Sequence, residues 1–561
     1  MSQWSRYLIA LAVAAVVGAV FAPAVSCGFV NWDDQEYVLD NPLVKGGLTP
    51  SGCWCAWTEV VFFNWVPLTV MSLQLDVTLG GLGPRMFHVT NIALHAATTA
   101  LVFLALSAMT GSIARSAAAT LLFALHPLRV ESVVWIAERK DVLSMFFVAV
   151  ALCLYARHAR RPSPASLAAV AIAMIASLLA KAMAVTLPVL LLLLDVWPFG
   201  RSPLPWGGPA SPSPDDSRPP TVVSWQRLIL EKMPLFAISA VFAVVTIATQ
   251  RPVLASDGDM PLIRVRIPNA ITAIGAYLLE TVLPVRLHPA HELPRPPSVP
   301  IAALMSAAAA LAVLGIILWR VRRQAPAVTI GGLWFLVALS PVLGIVTQQG
   351  ILSRADRFTY LPHIGLMIAV VWGGAEILAR LKAPAWAGKV LALAAIAGCA
   401  VLTRGQIPIW RDPVRLWTRC IELDPAAALP HYGYAHALES EGNTNLAVAE
   451  YRRALAIDPS HADSLYNLGT LHIKRGEAAE AVPLLRDLVA RVPNDPKIVN
   501  NYAAALARVG DLDEAIRQFR RALELNPAFT PSREGLARAL RLKEKGPSGP
   551  SAGATEPATD R

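Results

Sequence analysis

The chain has 561 residues, of which 55% are hydrophobic and 16% charged, and its formal net charge is +10. Soluble chains carry nearer a quarter charged residues, and here the apolar residues gather into long runs, so a wholly soluble fold is excluded. The positive charge lies largely in short loops between those runs, where it sets topology rather than binding nucleic acid.

The first apolar run covers residues 7–25. It exceeds the roughly 7–15 residues of a signal h-region, so it reads as an uncleaved first helix. Further runs near the required ~20 residues lie at 88–109, 117–137, 141–157, 166–195, 227–250, 269–287, 301–319, 327–347, 360–379 and 387–403, giving about eleven spans. Basic short loops carry Arg115, then Arg157, Arg160 and Arg161, then Arg320, Arg322 and Arg323, then Arg380, Lys382 and Lys389. With the N-terminus inside, all four fall inside, and the first loop and everything after residue 403 fall outside. Two places leave the parity open. The run 166–195 reads as one tilted span or two half-spans, and the loop with Arg264 and Arg266 is equally open.

The loop at 26–87 is too long for a connector. It opens with "FVNWDDQEYVLDNP", which sets the adjacent acids Asp33 and Asp34 beside Trp32. Its tryptophans suit the membrane interface, so short amphipathic helices on the bilayer surface are expected there. The six cysteines are Cys27, Cys53, Cys55, Cys153, Cys399 and Cys420, with no CxxC or Cys/His metal spacing. A bridge from Cys27 to Cys53 or Cys55 and free thiols both stay open.

Three more clusters interrupt the apolar sequence. "ALHPLRVESVVWIAERKDVLS" carries His126, Arg129, Glu131, Glu138, Arg139, Lys140 and Asp141. A charge at a helix centre costs at least ~2.5 kcal/mol, so such groups usually face a cavity and serve function. For residues 138–141 an ordinary polar turn is the competing reading. Lys181 lies over ten residues from either end of its run and is expected to face a cavity rather than snorkel. "LSRADRFTYLPHIGL" offers Arg354, Arg357 and Tyr360, which suit a phosphate or anchor a helix end. Acids and cations at one membrane face suggest a lipid-linked phosphate held by the basic groups, with an Asp taking a proton from an acceptor hydroxyl.

The C-terminal part repeats. Pro459, Pro493 and Pro527 are 34 residues apart, as are Ala447, Ala481 and Ala515, and Tyr451, Leu485 and Phe519. That period, with small Ala435, Gly469 and Ala503, is the tetratricopeptide signature of paired helices. The expected organisation is a membrane domain at 1–403 and a connector with a half repeat at 404–427. Repeats follow at 428–461, 462–495 and 496–529, then a terminal helix and a disordered tail at 530–561. Such repeats make a concave surface of the kind that binds peptide or protein.

The pieces "NWDDQEYVLDNPLV", "NWVPLTVMSLQLD", "FHVTNIALH", "LFALHPLRVESVVWIAERKD", "LLAKAMAVTLPVLLLLLDVWP" and "ADRFTYLPHIGL" occur in this order from residue 31 to 366, with the repeats behind them. In this the chain resembles the transmembrane and TPR-containing protein O-mannosyltransferases and their bacterial relatives, of the GT-C glycosyltransferase class. The resemblance implies an all-α fold, a polytopic bundle followed by a TPR solenoid. It also implies inverting transfer from a polyprenyl-phosphate sugar to a Ser/Thr hydroxyl at the outer face of, by expectation, a bacterial inner membrane. By carry-over the first-loop acid is the base, with Asp33 preferred slightly to Asp34; Glu138, Arg139 and Asp141 match the second-loop motif, and His126 and Glu131 its first half. Lys181, Arg354, Arg357 and Tyr360 are assigned to phosphate or lipid-head contact. Val66 in "NWVPLT" departs from relatives that have a histidine or arginine nearby, which leaves the sugar and acceptor open. No dense carboxylate cage stands out; a divalent ion on the acidic pair stays open but is not favoured, and no other cofactor is expected. Two other classes compete: a non-catalytic scaffold that recruits partners through its repeats, and a transporter of lipid-linked sugar. The transporter lacks the expected repeat of its helices.

Overall fold

The computed structural model describes residues 3–206, 222–256, 262–293, 299–345 and 352–545. The fold is helical, with a two-stranded antiparallel ladder pairing His291–Glu292 with Leu352–Arg354. The chain forms two compact units, the first ending at Leu423 and the second starting at Asp424. The expected disordered tail lies, from residue 546 on, outside the described residues.

Among the described residues of the first unit, seven helices are long and apolar enough to cross a membrane: Trp4–Ser26, Pro84–Thr110, Ile136–Arg160, Trp225–Gln250, Ile301–Val321, Pro362–Arg380 and Ala387–Trp410. This is a multi-pass membrane protein. Ile113–Ala124 and Pro127–Val134, bent by 59°, make an eighth if they form one span. Every apolar run of the sequence falls on a helix, yet the eleven expected spans resolve into these seven or eight and four shorter helices. The run 166–195 becomes Pro164–Ala180 and Ala182–Val196, parted at Lys181, whose backbone is extended (φ −160°, ψ 135°). The break lets a charged side chain leave the apolar row and reach acidic partners. The run 269–287 is the 16-residue helix Ile267–Val282. The run 327–347 is Pro326–Val342, and its last two residues lie outside the described residues. So do residues 257–261, before Arg264.

The long first loop holds a π-helical turn, Gln35–Leu39, and three α-helices, Pro42–Lys45, Pro50–Thr58 and Pro67–Gly80. Each α-helix starts on a proline, whose missing N–H and fixed φ suit a first turn. Asn41 and Thr49 cap the first two by accepting the N–H of Leu43 and Gly52. All six cysteines are free thiols, so Cys27 bridges neither Cys53 nor Cys55.

A charge network that the sequence reading did not single out lies near the C-terminal end of the helix Arg139–Arg160. Asp195 accepts from the Tyr155 hydroxyl at 2.6 Å and pairs with Arg201 at 2.9 Å and Lys232 at 2.6 Å. Glu231 joins it through Arg201 at 2.7 Å. These mutual pairs leave the buried charges compensated, and they fasten the Trp225–Ser256 helix to its neighbours.

The second unit contains the helix pairs Ala428–Ser440 with Thr444–Ile457, Ala462–Lys474 with Ala478–Arg491, and Pro496–Val509 with Leu512–Leu525, then Thr530–Glu544. Pro459, Pro493 and Pro527 each follow a second helix, as the period requires. Gly442, Gly476 and Gly510 keep the same 34-residue step and turn each pair with φ of +82°, +80° and +97°. The expected connector and half repeat at 404–427 divide between the units. Pro413–Leu423 is a helix of the first unit, where Trp417 packs on Trp32 with ring centroids 5.2 Å apart.

The repeat packing is close where the side chains are small. A Cβ on Gly469 would sit 2.8 Å from Leu485 Cγ. Gly469→Leu is therefore expected to destabilise this unit by about 1–3 kcal/mol through overpacking. Faster amide hydrogen exchange across residues 462–495 would register the change.

Candidate active site

The first loop reaches the bundle through one residue of the acidic pair. Asp34 is buried, and its two carboxylate oxygens accept the N–H of Val30 at 2.9 Å and of Ala137 at 2.8 Å. It fastens the loop to the short turn Ile136–Glu138. Trp32 supports the same junction, 5.1 Å from Trp135 between ring centroids. Burial pushes the Asp34 carboxyl up to about 7, against the pull of the two amides. Asp33 is less enclosed, and its carboxylate lies 3.7 Å from Lys140 Nζ. Burial raises its pKa as well, opposed first by Lys140 and then by Arg357.

Glu138 is the centre of the charge cluster. One oxygen lies 3.2 Å from Lys140 Nζ and 3.3 Å from Arg357 Nε; the other lies 3.0 Å from Lys181 Nζ. Asp141 holds Lys181 at 2.6 Å and accepts from the Ser132 hydroxyl at 3.1 Å. Glu131 pairs with the Arg357 guanidinium and also accepts its backbone N–H at 3.3 Å. Asp33 and Lys181 therefore connect to opposite oxygens of Glu138, the former through Lys140. The first loop at Asp33, the segment from Glu131 to Asp141, the break at Lys181 and the turn Asp356–Thr359 bring these groups together from four distant parts of the chain.

Lys181 also lines a cavity of about 280 Å³ with Asn64, Met183, Thr246, Val342 and Phe358. The cavity is mostly apolar with one ammonium in its wall, which suits a ligand that joins an anion to an apolar chain. A smaller void of about 20 Å³ touches Asp141, Arg357 and Tyr360. It has room for about one water molecule.

Of the residues expected from sequence, Asp33, Glu131, Glu138, Asp141, Lys181 and Arg357 come together. The others have different surroundings. Arg139 is fully buried and donates to Asp76 at 2.5 Å, the Ser72 hydroxyl at 2.7 Å, the Phe87 carbonyl at 2.9 Å and the Asn91 amide oxygen. Its donors are met within the protein. His126 lies 3.0 Å from the Thr281 carbonyl through Nε2. Tyr360 bonds His95 Nδ1, and its ring lies 4.9 Å from the Arg129 guanidinium. Arg354 pairs with Glu280 at 3.1 Å beside the two-stranded ladder.

Lys140 was visible in the sequence only as part of a polar turn. Tyr37, with its ring 4.3 Å below Lys140 Nζ, gave no separate signal. Among the described residues, no group of three or more His, Cys, Asp or Glu is arranged to hold a metal ion.

Fold and site define a multi-pass helical membrane protein with a charged cluster beside an apolar cavity and a C-terminal repeat unit. A tetratricopeptide-repeat family profile matches residues 428–530. Protein O-mannosyl-transferase TMTC1 of Homo sapiens is 25% identical over 460 residues, covering 73% of this chain and 50% of that protein. Protein O-mannosyl-transferase TMTC3 of Mus musculus is 23% identical over 564 residues, 92% of this chain and 60% of that protein. Protein O-mannosyl-transferase Tmtc1 of Drosophila melanogaster reaches 32% over 197 residues, 33% of this chain and 23% of that protein. The chain is similar to these protein O-mannosyl-transferases over most of its length, and it spans about half the length of the human relative.

Proposed function

We propose that this protein is a membrane glycosyltransferase that moves a hexose, mannose or a similar sugar, from a polyprenyl-phosphate donor to a Ser/Thr hydroxyl of a protein. The names of its relatives support a transferase acting on proteins. The observation that carries the reading is the division of labour within the acidic pair. Asp34 is used up by two backbone amides, while Asp33 stands beside Lys140 with its carboxylate partly accessible.

In the proposed reaction Asp33 accepts the hydroxyl proton as the acceptor oxygen attacks the anomeric carbon. The bond from that carbon to the phosphate oxygen breaks, the phosphate leaves with the electron pair, and the configuration inverts. Lys181 and Arg357 stabilise the charge on the departing phosphate. Glu138 acts through the three cations it holds, as a positioning residue. The cavity beside Lys181 takes the donor near its phosphate. The repeat unit docks the acceptor protein.

The first loop and the repeats face outward in this reading, supported by the basic short loops at Arg115, Arg157, Arg320 and Arg380 on the opposite side. The membrane is proposed to be a bacterial inner membrane.

No metal or other cofactor takes part in the proposed reaction. Each clustered acid already lies against a lysine or arginine at 2.6–3.7 Å, or within a shorter Glu131–Arg357 pair, so a divalent cation would meet positive neighbours. Transfer is expected to persist in excess EDTA; loss restored by added magnesium or manganese would reverse this.

A photoreactive polyprenyl phosphate is expected to label the cavity wall, at Met183 and Thr246. Lys181→Met should weaken that labelling by at least about tenfold, the scale of one charged hydrogen bond. Labelling that ignores the substitution would place the donor elsewhere.

A further inference from the structure

Residues 60–75 contain no charged side chain. Within them, Val61 and Asn64 exchange both backbone hydrogen bonds at 2.9 Å, closing a two-residue turn over Phe62 and Phe63. Both central residues have positive φ, +44° and +61°. That is the arrangement asparagine and glycine normally fill, because a Cβ is strained there. Here two phenylalanines adopt it, and both side chains are left exposed, at 44% and 41%. Phe62 packs edge-on against Tyr37, with ring centroids 6.1 Å apart, yet both phenylalanines keep about two-fifths of their surface uncovered.

The neighbours say what covers them. Trp65, one residue past the turn, stacks on Phe242 of the Trp225–Gln250 span with ring centroids 6.1 Å apart. At 1.5 Å per residue, Phe242 lies about 12 Å along the helix from Gln250, the far end of that span. The turn therefore stands beside a membrane-crossing helix at a level below its end. Exposed Val60, Trp54 and Trp57 continue the apolar surface.

We propose that the 61–64 turn is a bilayer anchor: Phe62 and Phe63 insert among lipid acyl chains and fix the depth of the charge cluster. The link to the cluster is short. Asn64 Nδ2 donates to the Tyr37 hydroxyl at 3.0 Å, Lys140 Nζ lies 4.3 Å over the Tyr37 ring, and Lys140 reaches Asp33 and Glu138. Asn64 also lines the cavity beside Lys181, so the anchor stands at the cavity wall. The inference holds whatever the cluster catalyses.

The test uses the full chain in phosphatidylcholine nanodiscs. The fluorescence added by Phe63→Trp, taken as the difference from wild type, is expected to be blue-shifted, quenched by chain-brominated lipid and indifferent to iodide. Quenching by iodide without quenching by brominated lipid would overturn the proposal and leave the turn free for a soluble partner such as an acceptor peptide. A second variant guards against a local folding defect. Phe62→Asn with Phe63→Gly gives the turn its preferred residues, so the melting temperature in detergent should not fall. In nanodiscs the same variant should speed amide exchange across residues 54–65 at least tenfold, and unchanged exchange would count against the anchor.

Discussion

Asp33→Asn is expected to lower sugar transfer by about 10²–10⁴-fold, the range for removing a general base, with the fold unchanged. Among the described residues the side chain makes one ion pair, to Lys140 at 3.7 Å, and closes no backbone contact, so little structure depends on it. Asp34→Asn should behave differently. An amide offers one acceptor where the carboxylate offers two, and its NH₂ would face either the Val30 or the Ala137 N–H. Leaving one buried N–H unmet costs about 1–3 kcal/mol. Stability and activity should then fall together, and the loss of activity should follow the loss of folded protein. The pH dependence separates the two further. A base works ionised, and burial holds Asp33 above the ordinary aspartate value of about 3.9. The kcat/KM of the wild type should therefore fall on acidification while the pH is still above about 4. The residual rate of Asp33→Asn should lack that limb.

Glu138→Gln is expected to have the larger effect on stability. Removing this charge leaves Lys140, Lys181 and Arg357 without their common partner at a site where Glu138 is 1% exposed. Breaking one side of a buried ion pair costs about 3–5 kcal/mol. Lys181 keeps Asp141 and Arg357 keeps Glu131, which limits the loss, whereas Lys140 keeps the more distant Asp33 and the face of the Tyr37 ring. Thermal melting in detergent should drop sharply, and any folded remainder should bind donor poorly because its cations are no longer aimed. A Glu138→Gln protein with wild-type melting and wild-type transfer would remove Glu138 from the centre of the site.

The two halves of the chain were unequally legible. The repeats could be read because their constraints are local and recur: Pro459, Pro493 and Pro527 mark the ends of second helices, and Gly469 sits where helices touch. The step of Gly442, Gly476 and Gly510 carries the same message, since each turn needs a positive φ. Apolar runs located the membrane helices well, but run length did not reveal where a helix stops. The break at Lys181 depends on Glu138 and Asp141, some 40 residues earlier in the chain. The site was legible as a set of candidates but not as an arrangement. Asp33 and Asp34 look equivalent in sequence, and what separates them is the Ala137 amide, 103 residues away. Arg139 and Lys140 are likewise neighbours that diverge. On a helix successive side chains point about 100° apart. Arg139 turns to Asp76, Lys140 to Glu138.

The most direct measurement is transfer of radiolabelled mannose from polyprenyl-phosphate mannose to protein, by the purified full chain in nanodiscs, with wild type and Asp33→Asn compared at equal folded amounts. Alkali-labile label on Ser or Thr residues of acceptor protein is expected with the wild type, and almost none with Asp33→Asn. Equal labelling by the two proteins would contradict the assignment of Asp33, and no labelling by the wild type across a panel of polyprenyl-phosphate hexoses would contradict the glycosyltransferase itself.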